Sequence, residues 1–94
     1  MLDLTGKVAI VTGAGSVGPG WGNGKATAVL MARQGAKVFC LDNNEAAVAE
    51  TVGIIAREGG EATAHMADVT SSAEFAAAVE AGVARYGQLD IMVN

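Results

Sequence analysis

Residues 8–30, VAIVTGAGSVGPGWGNGKATAVL, constrain the fold more than any other stretch of the chain. Val8, Ala9, Ile10 and Val11 form an apolar run that reads as a buried strand. The run empties into a loop with glycine at 13, 15, 18, 20, 22 and 24, and residues 25–30 then read as a helix. Glycine suits such a junction because it tolerates positive φ and lets a bulky anion approach the backbone. The unpaired N–H groups and positive dipole end of the following helix would meet that anion. Strand, glycine loop and helix in that order predict a dinucleotide pyrophosphate site.

The rest of the chain repeats the alternation. The first helix is predicted over residues 23–34, with Ala26, Val29 and Leu30 on its buried stripe and Gly35 as its stop. Residues 37–41 read as a second strand ending at Asp42. Asn43 and Asn44 can cap a helix over 45–58, where Val48, Val52 and Ile55 recur at helical spacing before Gly59 and Gly60. A third strand is predicted over 61–66. Ser71 and Glu74, three apart, predict a capping box that opens a third helix. Phe75, Val79, Val83 and Tyr86 then share one face of it, and Gly87 stops it. A fourth strand is predicted over 89–93. Strands and helices alternating βαβαβαβ with short connections predict an α/β, three-layer, Rossmann-like partial domain. Right-handed crossovers give a parallel sheet of order 3-2-1-4, with ligand expected at the switch between strands 1 and 4.

Composition narrows the partners. The chain has 94 residues, 51% hydrophobic and 17% charged, with a formal net charge of −4. An acidic surface argues against nucleic acid, whose phosphates need basic side chains. Cys40 is the single cysteine and sits in an apolar run, so a disulfide framework is excluded and a buried thiol is expected. The first seven residues lack a basic start followed by an apolar segment, so no signal peptide is read there. No apolar stretch approaches the roughly 20 residues that span a bilayer. The expected location is the cytoplasm, with no membrane partner.

Asp42, at the tip of the second strand, is placed to accept hydrogen bonds from an adenosine ribose. Its charge would repel a 2′-phosphate, and residues 41–47 hold no Arg or Lys to welcome one, so NAD is expected rather than NADP. As a bland alternative, Asp42 is a solvated residue of a strand-end turn. Gly24 and Lys25 invite comparison with the nucleoside-triphosphate loop G-x-x-x-x-G-K-[ST], but Pro19 and Ala26 stand where Gly and Ser or Thr are required. An S-adenosylmethionine-binding Rossmann domain is a further alternative, as is a nucleotide-binding module without chemistry.

Several motifs occur in one order: Val11-Thr12-Gly13-Ala14-Gly15, Gly22-Asn23-Gly24-Lys25-Ala26-Thr27-Ala28, Gly35-Ala36-Lys37-Val38, Asp42, Ala67-Asp68-Val69-Thr70 and Leu89-Asp90-Ile91-Met92-Val93-Asn94. In this the chain resembles the N-terminal, cofactor-binding half of the short-chain dehydrogenases/reductases. The resemblance implies an NAD-dependent oxidoreductase of alcohols or carbonyls, homo-oligomeric as a whole enzyme. It implies that Gly13, Gly22 and Gly24 line the pyrophosphate, with Gly15, Ser16 and Asn23 in the same loop. It implies that Asp42 holds the adenosine ribose, and that Asp68 with the Val69 backbone contacts the adenine. Asn94 would be the first residue of the family's N-N-A-G motif.

Two departures stand out. Residues 17–21, Val-Gly-Pro-Gly-Trp, are inserted ahead of Gly22, unless Gly18 and Gly20 form the working pair; Trp21 either covers the cofactor or packs on the loop. Asn23 also replaces the family's usual Ile. The family's catalytic Ser and Tyr-x-x-x-Lys follow N-N-A-G, so the resemblance implies that residues 1–94 hold no catalytic residue and are inactive alone. Tyr86 is followed four residues later by Asp90, not Lys, and is expected to pack. His65, the single histidine, is expected to be a polar strand residue without a partner, and no metal-ligand spacing is visible. Residues 89–93 are expected to leave an unpaired, apolar sheet edge that invites association.

Overall fold

The structure, a computed structural model, describes residues 3–15 and 23–93. The expectations for Ser16, for the insertion at 17–21, for Gly22 and for Asn94 lie outside these residues, as does that for the side chain of Asn23.

The elements run β1 (Val8–Thr12), α1 (Asn23–Arg33), β2 (Lys37–Asp42), α2 (Glu45–Arg57), β3 (Glu61–Met66), α3 (Ser72–Tyr86) and β4 (Ile91–Val93). The strands form one parallel sheet in the order β3-β2-β1-β4, as the alternation predicts. Val8 lies opposite Lys37, Thr12 opposite Leu41 and Asp42 opposite Met66, so β1, β2 and β3 end side by side.

Successive strand residues point to opposite faces, which divides the core in two. On one face Val11, Val38 and Cys40 pack under α1 and α2 with Ala28, Val29, Val48 and Ile55. On the other, Ile10, Phe39 and Leu41 pack under α3 with Ala78, Phe75 and Tyr86. The middle strands are covered on both faces, which is why their sequences are almost unbroken apolar runs. α3 comes close because Gly82 has no side chain; a Cβ there would lie 3.1 Å from both Ile10 Cδ1 and Phe39 Cδ2.

Four expectations change. α1 buries Lys25, Ala28, Val29 and Ala32, while Ala26 is exposed and Leu30 is 57% exposed, because backbone contact at Gly24 sets the helix's rotation. On α3 the deepest positions are Ala78 and Gly82, and Val83 faces outward. The capping box is half formed: Ser71 Oγ accepts from Glu74 N at 3.4 Å, but the Glu74 carboxylate accepts from Asp68 N at 3.1 Å. β4 begins at Ile91 rather than at residue 89. Leu89 packs beneath α3, and Asp90 is tied to Val8 twice: its N–H donates to Val8 O at 2.9 Å, and its carboxylate accepts from Val8 N at 2.9 Å.

Candidate functional site

The carboxyl ends of β1, β2 and β3 converge on one cleft. At the end of β1, Gly13 turns the chain with φ +62°, and a Cβ there would meet nothing within 4 Å. The next peptide is pinned from several directions. Ala14 N–H donates to Leu41 O at 3.1 Å, Thr51 Oγ1 donates to Ala14 O at 2.8 Å, and Gly15 N–H donates to Asp42 Oδ2 at 2.8 Å. Gly15 lies against α2, where a Cβ would stand 2.7 Å from Ala47 Cβ and 2.9 Å from Val48 N. Gly24, in the first turn of α1, lies against β1's exit in the same manner, 1.9 Å from Gly13 O for an added Cβ.

Asp42 ends β2 and is half-buried. Its Oδ1 accepts from Asn44 N at 3.0 Å, and Asn44 in turn caps α2 by accepting from Ala47 N at 3.0 Å. A carboxylate offers about four acceptor directions. With one bond to each oxygen, Asp42 keeps acceptor capacity on both. Beside it, Ala67 N–H donates to Asp42 O at 3.0 Å and draws the end of β3 into line. Asp68 Oδ1 accepts from Thr70 N at 2.9 Å and from Thr70 Oγ1 at 2.5 Å, and these two donors, the hydroxyl first, hold its carboxyl below the ordinary aspartate range. Val69 is 42% exposed at the turn.

Gly13, Asp42, Asn43, Ala67, Asp68, Val69 and Thr70 line a cleft of about 140 Å³. The structure thus brings together Gly13, Asp42, Asp68 and Val69 from the sequence-expected site. Gly15 and Gly24 stand beside it as contacts that let elements meet, and the Gly15 amide is already used by Asp42. A larger cavity, about 340 Å³, lies at the other end of the sheet between the C-terminal turns of α1 and α2. It is lined by Ala32, Ile55, Gly59 and Gly60 with the Arg33–Glu58 ion pair, and it holds none of the convergent acceptors of the cleft.

Sequence reasoning misses Thr51, and misses that Glu74 reaches Asp68. Thr51 carries a faint signal, a polar residue three after Val48 and four before Ile55 on the buried stripe of α2. The spacing to Ser71 signals Glu74 only as a capping partner, and nothing in it points to the Asp68 amide. His65 lies in β3, as a strand residue is expected to, and its ring is 5.4 Å from that of Phe39, tilted by 33°. Tyr86 packs edge-on to Phe39 at 6.4 Å, and its hydroxyl shares a hydrogen bond with Thr63 Oγ1 at 2.7 Å. Cys40 is buried, and desolvation pushes its thiol up to about 12. Among the described residues no group of three or more His, Cys, Asp or Glu side chains is placed to hold a metal, and no helix is long and apolar enough to cross a membrane.

A parallel sheet wound in this order, with a glycine turn and a strand-tip carboxylate at its carboxyl edge, defines the class of Rossmann-like α/β proteins. Within that class, the family model described as short chain dehydrogenase matches residues 7–94, and the chain belongs to that family of oxidoreductases. It is 43% identical over 93 residues to an uncharacterized oxidoreductase of Thermotoga maritima, covering 99% of this chain and 34% of that protein. It is 40% identical over 93 residues to 7α-hydroxysteroid dehydrogenase of Escherichia coli, again covering 99% of this chain and 34% of the relative. The solved structure of a 7α-hydroxysteroid dehydrogenase complexed with NADH and 7-oxo glycochenodeoxycholic acid superposes with a TM-score of 0.91 at 39% identity, over 98% of this chain and 34% of that one. The chain spans about a third of the length of these relatives.

Proposed function

We propose that this chain binds the adenosine half of NAD and serves an oxidoreductase acting on an alcohol or carbonyl substrate. The observation that carries the reading is Asp42: a carboxylate fixed by one donor on each oxygen, with acceptor capacity left on both, at the lip of the cleft. Such a group suits two vicinal ribose hydroxyls, each of which needs an acceptor. The neighbouring surfaces fit the rest of the adenosine. Gly13 leaves open space where a side chain would project, and Asp68 and Val69 form the wall that an adenine would meet. A 2′-phosphate would bring charge onto Asp42 with no Arg or Lys in residues 41–47 to offset it, which favours NAD over NADP. When bound, the nicotinamide ring supplies the hydride carrier. The chain's own residues bind and orient; none of residues 1–94 matches the Tyr-x-x-x-Lys pair, and these residues alone turn over no substrate.

Calorimetric titration tests the reading. NAD is expected to bind, and NADP to bind at least about tenfold more weakly, a gap of roughly 1.4 kcal/mol. NADP binding as tightly as NAD, or displacement of neither by the other with uptake of S-adenosylmethionine instead, would overturn it. Binding of NAD without turnover by a whole protein carrying this chain would mark a non-catalytic module.

A further inference from the structure

We propose that Thr51 is a positioning residue for the ribose-binding carboxylate, acting on Asp42 through the Ala14–Gly15 peptide; the inference rests on the proposed NAD site. Thr51 lies in the middle of α2 and its residue is wholly buried. Its hydroxyl has one hydrogen and two carbonyls in reach, Ala14 O at 2.8 Å and Ala47 O at 3.3 Å, so the shorter contact to the glycine turn takes it. Ala14 C=O and Gly15 N–H belong to one planar peptide group. Thr51 therefore holds the oxygen end of a rigid plate whose hydrogen end points at Asp42 Oδ2, 2.8 Å away.

The plate cannot be steadied from its flanks alone. Ala14 N–H, which belongs to the preceding peptide, is tied to Leu41 O, and Gly15 rests on Ala47 and Val48. Neither contact fixes rotation of the 14–15 peptide about its own long axis. Thr51 does, and with Asn44 N–H on Oδ1 the plane of the Asp42 carboxylate is then set by two donors. Preorganised acceptors hold a ligand better than ones that must first be oriented. A valine at position 51 would fill the same space and leave Ala14 O buried without its donor, freeing the plate to turn.

The test is a double-mutant cycle on NAD affinity by calorimetry, using wild type, Thr51→Val, Thr51→Ser, Asp42→Ala and the Thr51→Val/Asp42→Ala pair. Thr51→Val is expected to weaken NAD binding about fivefold to tenfold, the scale of one lost hydrogen bond. Thr51→Ser, which keeps the hydroxyl, is expected to stay within about twofold of wild type. On the Asp42→Ala background the Thr51→Val effect is expected to shrink below about twofold, because its target is gone. A Thr51→Val protein that binds NAD as wild type does, or that loses the same factor on both backgrounds, would overturn the inference. The coupling also has a cofactor-free readout, the Gly15 amide proton resonance. It is expected to shift when Asp42→Ala is introduced into wild type, and to shift much less when the same substitution is introduced into Thr51→Val. If wild type takes up no NAD, the proposed function fails while this resonance still decides whether Thr51 orients Asp42. Should Thr51→Val not fold, fast solvent exchange of the Gly15 amide in the wild-type protein would be enough to overturn the inference, and protection would support it.

Discussion

Gly24 stands so close to Gly13 that a Cβ at position 24 would lie 1.9 Å from the Gly13 carbonyl oxygen and 2.5 Å from its carbon. The obstacle is backbone at the end of a buried strand, which has nowhere to move. Overpacking a core ordinarily costs about 1–3 kcal/mol, and Gly24→Ala is expected to reach or exceed the upper end of that range. Gly53→Ala is the matched control. Gly53 is within α2, and an added Cβ would meet only the end of the Arg57 side chain at 3.3 Å. Alanine there is expected to stabilise by up to about 1 kcal/mol through helix propensity. Urea midpoints of the two variants, moving in opposite directions, check the pair; Gly24→Ala with a wild-type midpoint would contradict the packing described.

Tyr86 is a packing residue with one polar tie. Removing its hydroxyl breaks the 2.7 Å bond with Thr63 and leaves the edge-on contact with Phe39. Tyr86→Phe is therefore expected to cost about 0.5–1.5 kcal/mol in denaturant unfolding and to leave cofactor affinity unchanged. A change in NAD binding would give Tyr86 a role in the site that its position on α3 does not suggest.

Cys40 reports on unfolding. Burial raises its thiol to about 12, so almost no thiolate exists near neutral pH in the folded chain. Alkylation by a thiolate-specific reagent is expected to be slow in the folded state and to rise sharply through the unfolding transition. Rapid labelling well below the transition would contradict the burial of β2.

Acid should loosen the β1–β4 clamp. The Val8 N–H, and after it the Gln88 amide, hold the Asp90 carboxyl below its ordinary value of 3.8. A folded-state pKa below the unfolded one gives stability that is fully present above the unfolded value and is lost as pH falls through the folded value. Melting temperature is expected to drop between about pH 5 and about pH 3, and Asp90→Asn to drop less over the same interval. Parallel acid limbs for the two proteins would show that Asp90 does not titrate in this clamp.

The order of elements was legible because each strand is an apolar run ending at a turn residue and each helix is followed by glycine. Asp42 was legible for a similar reason, since a charged residue at a strand tip has few places to be. The rotation of α1 was not. Periodicity sends a lysine outward and a leucine inward, yet the Gly24–Gly13 contact turns Lys25 into the structure, 2.6 Å from Glu50, and Leu30 toward solvent. Thr51 was hidden because its partner is a backbone carbonyl 37 residues away. Asp90 holds Val8 through its side chain as well as its backbone, and periodicity carries no signal for that second tie.

The most direct measurement is a crystal structure of the chain grown with NAD. The two hydroxyls of the adenosine ribose are expected within hydrogen-bonding distance of the Asp42 carboxylate, with the adenine against Asp68 and Val69. Density for the cofactor elsewhere, or an empty cleft at saturating NAD with Asp42 still bound only to Gly15 and Asn44, would contradict the assignment of this site.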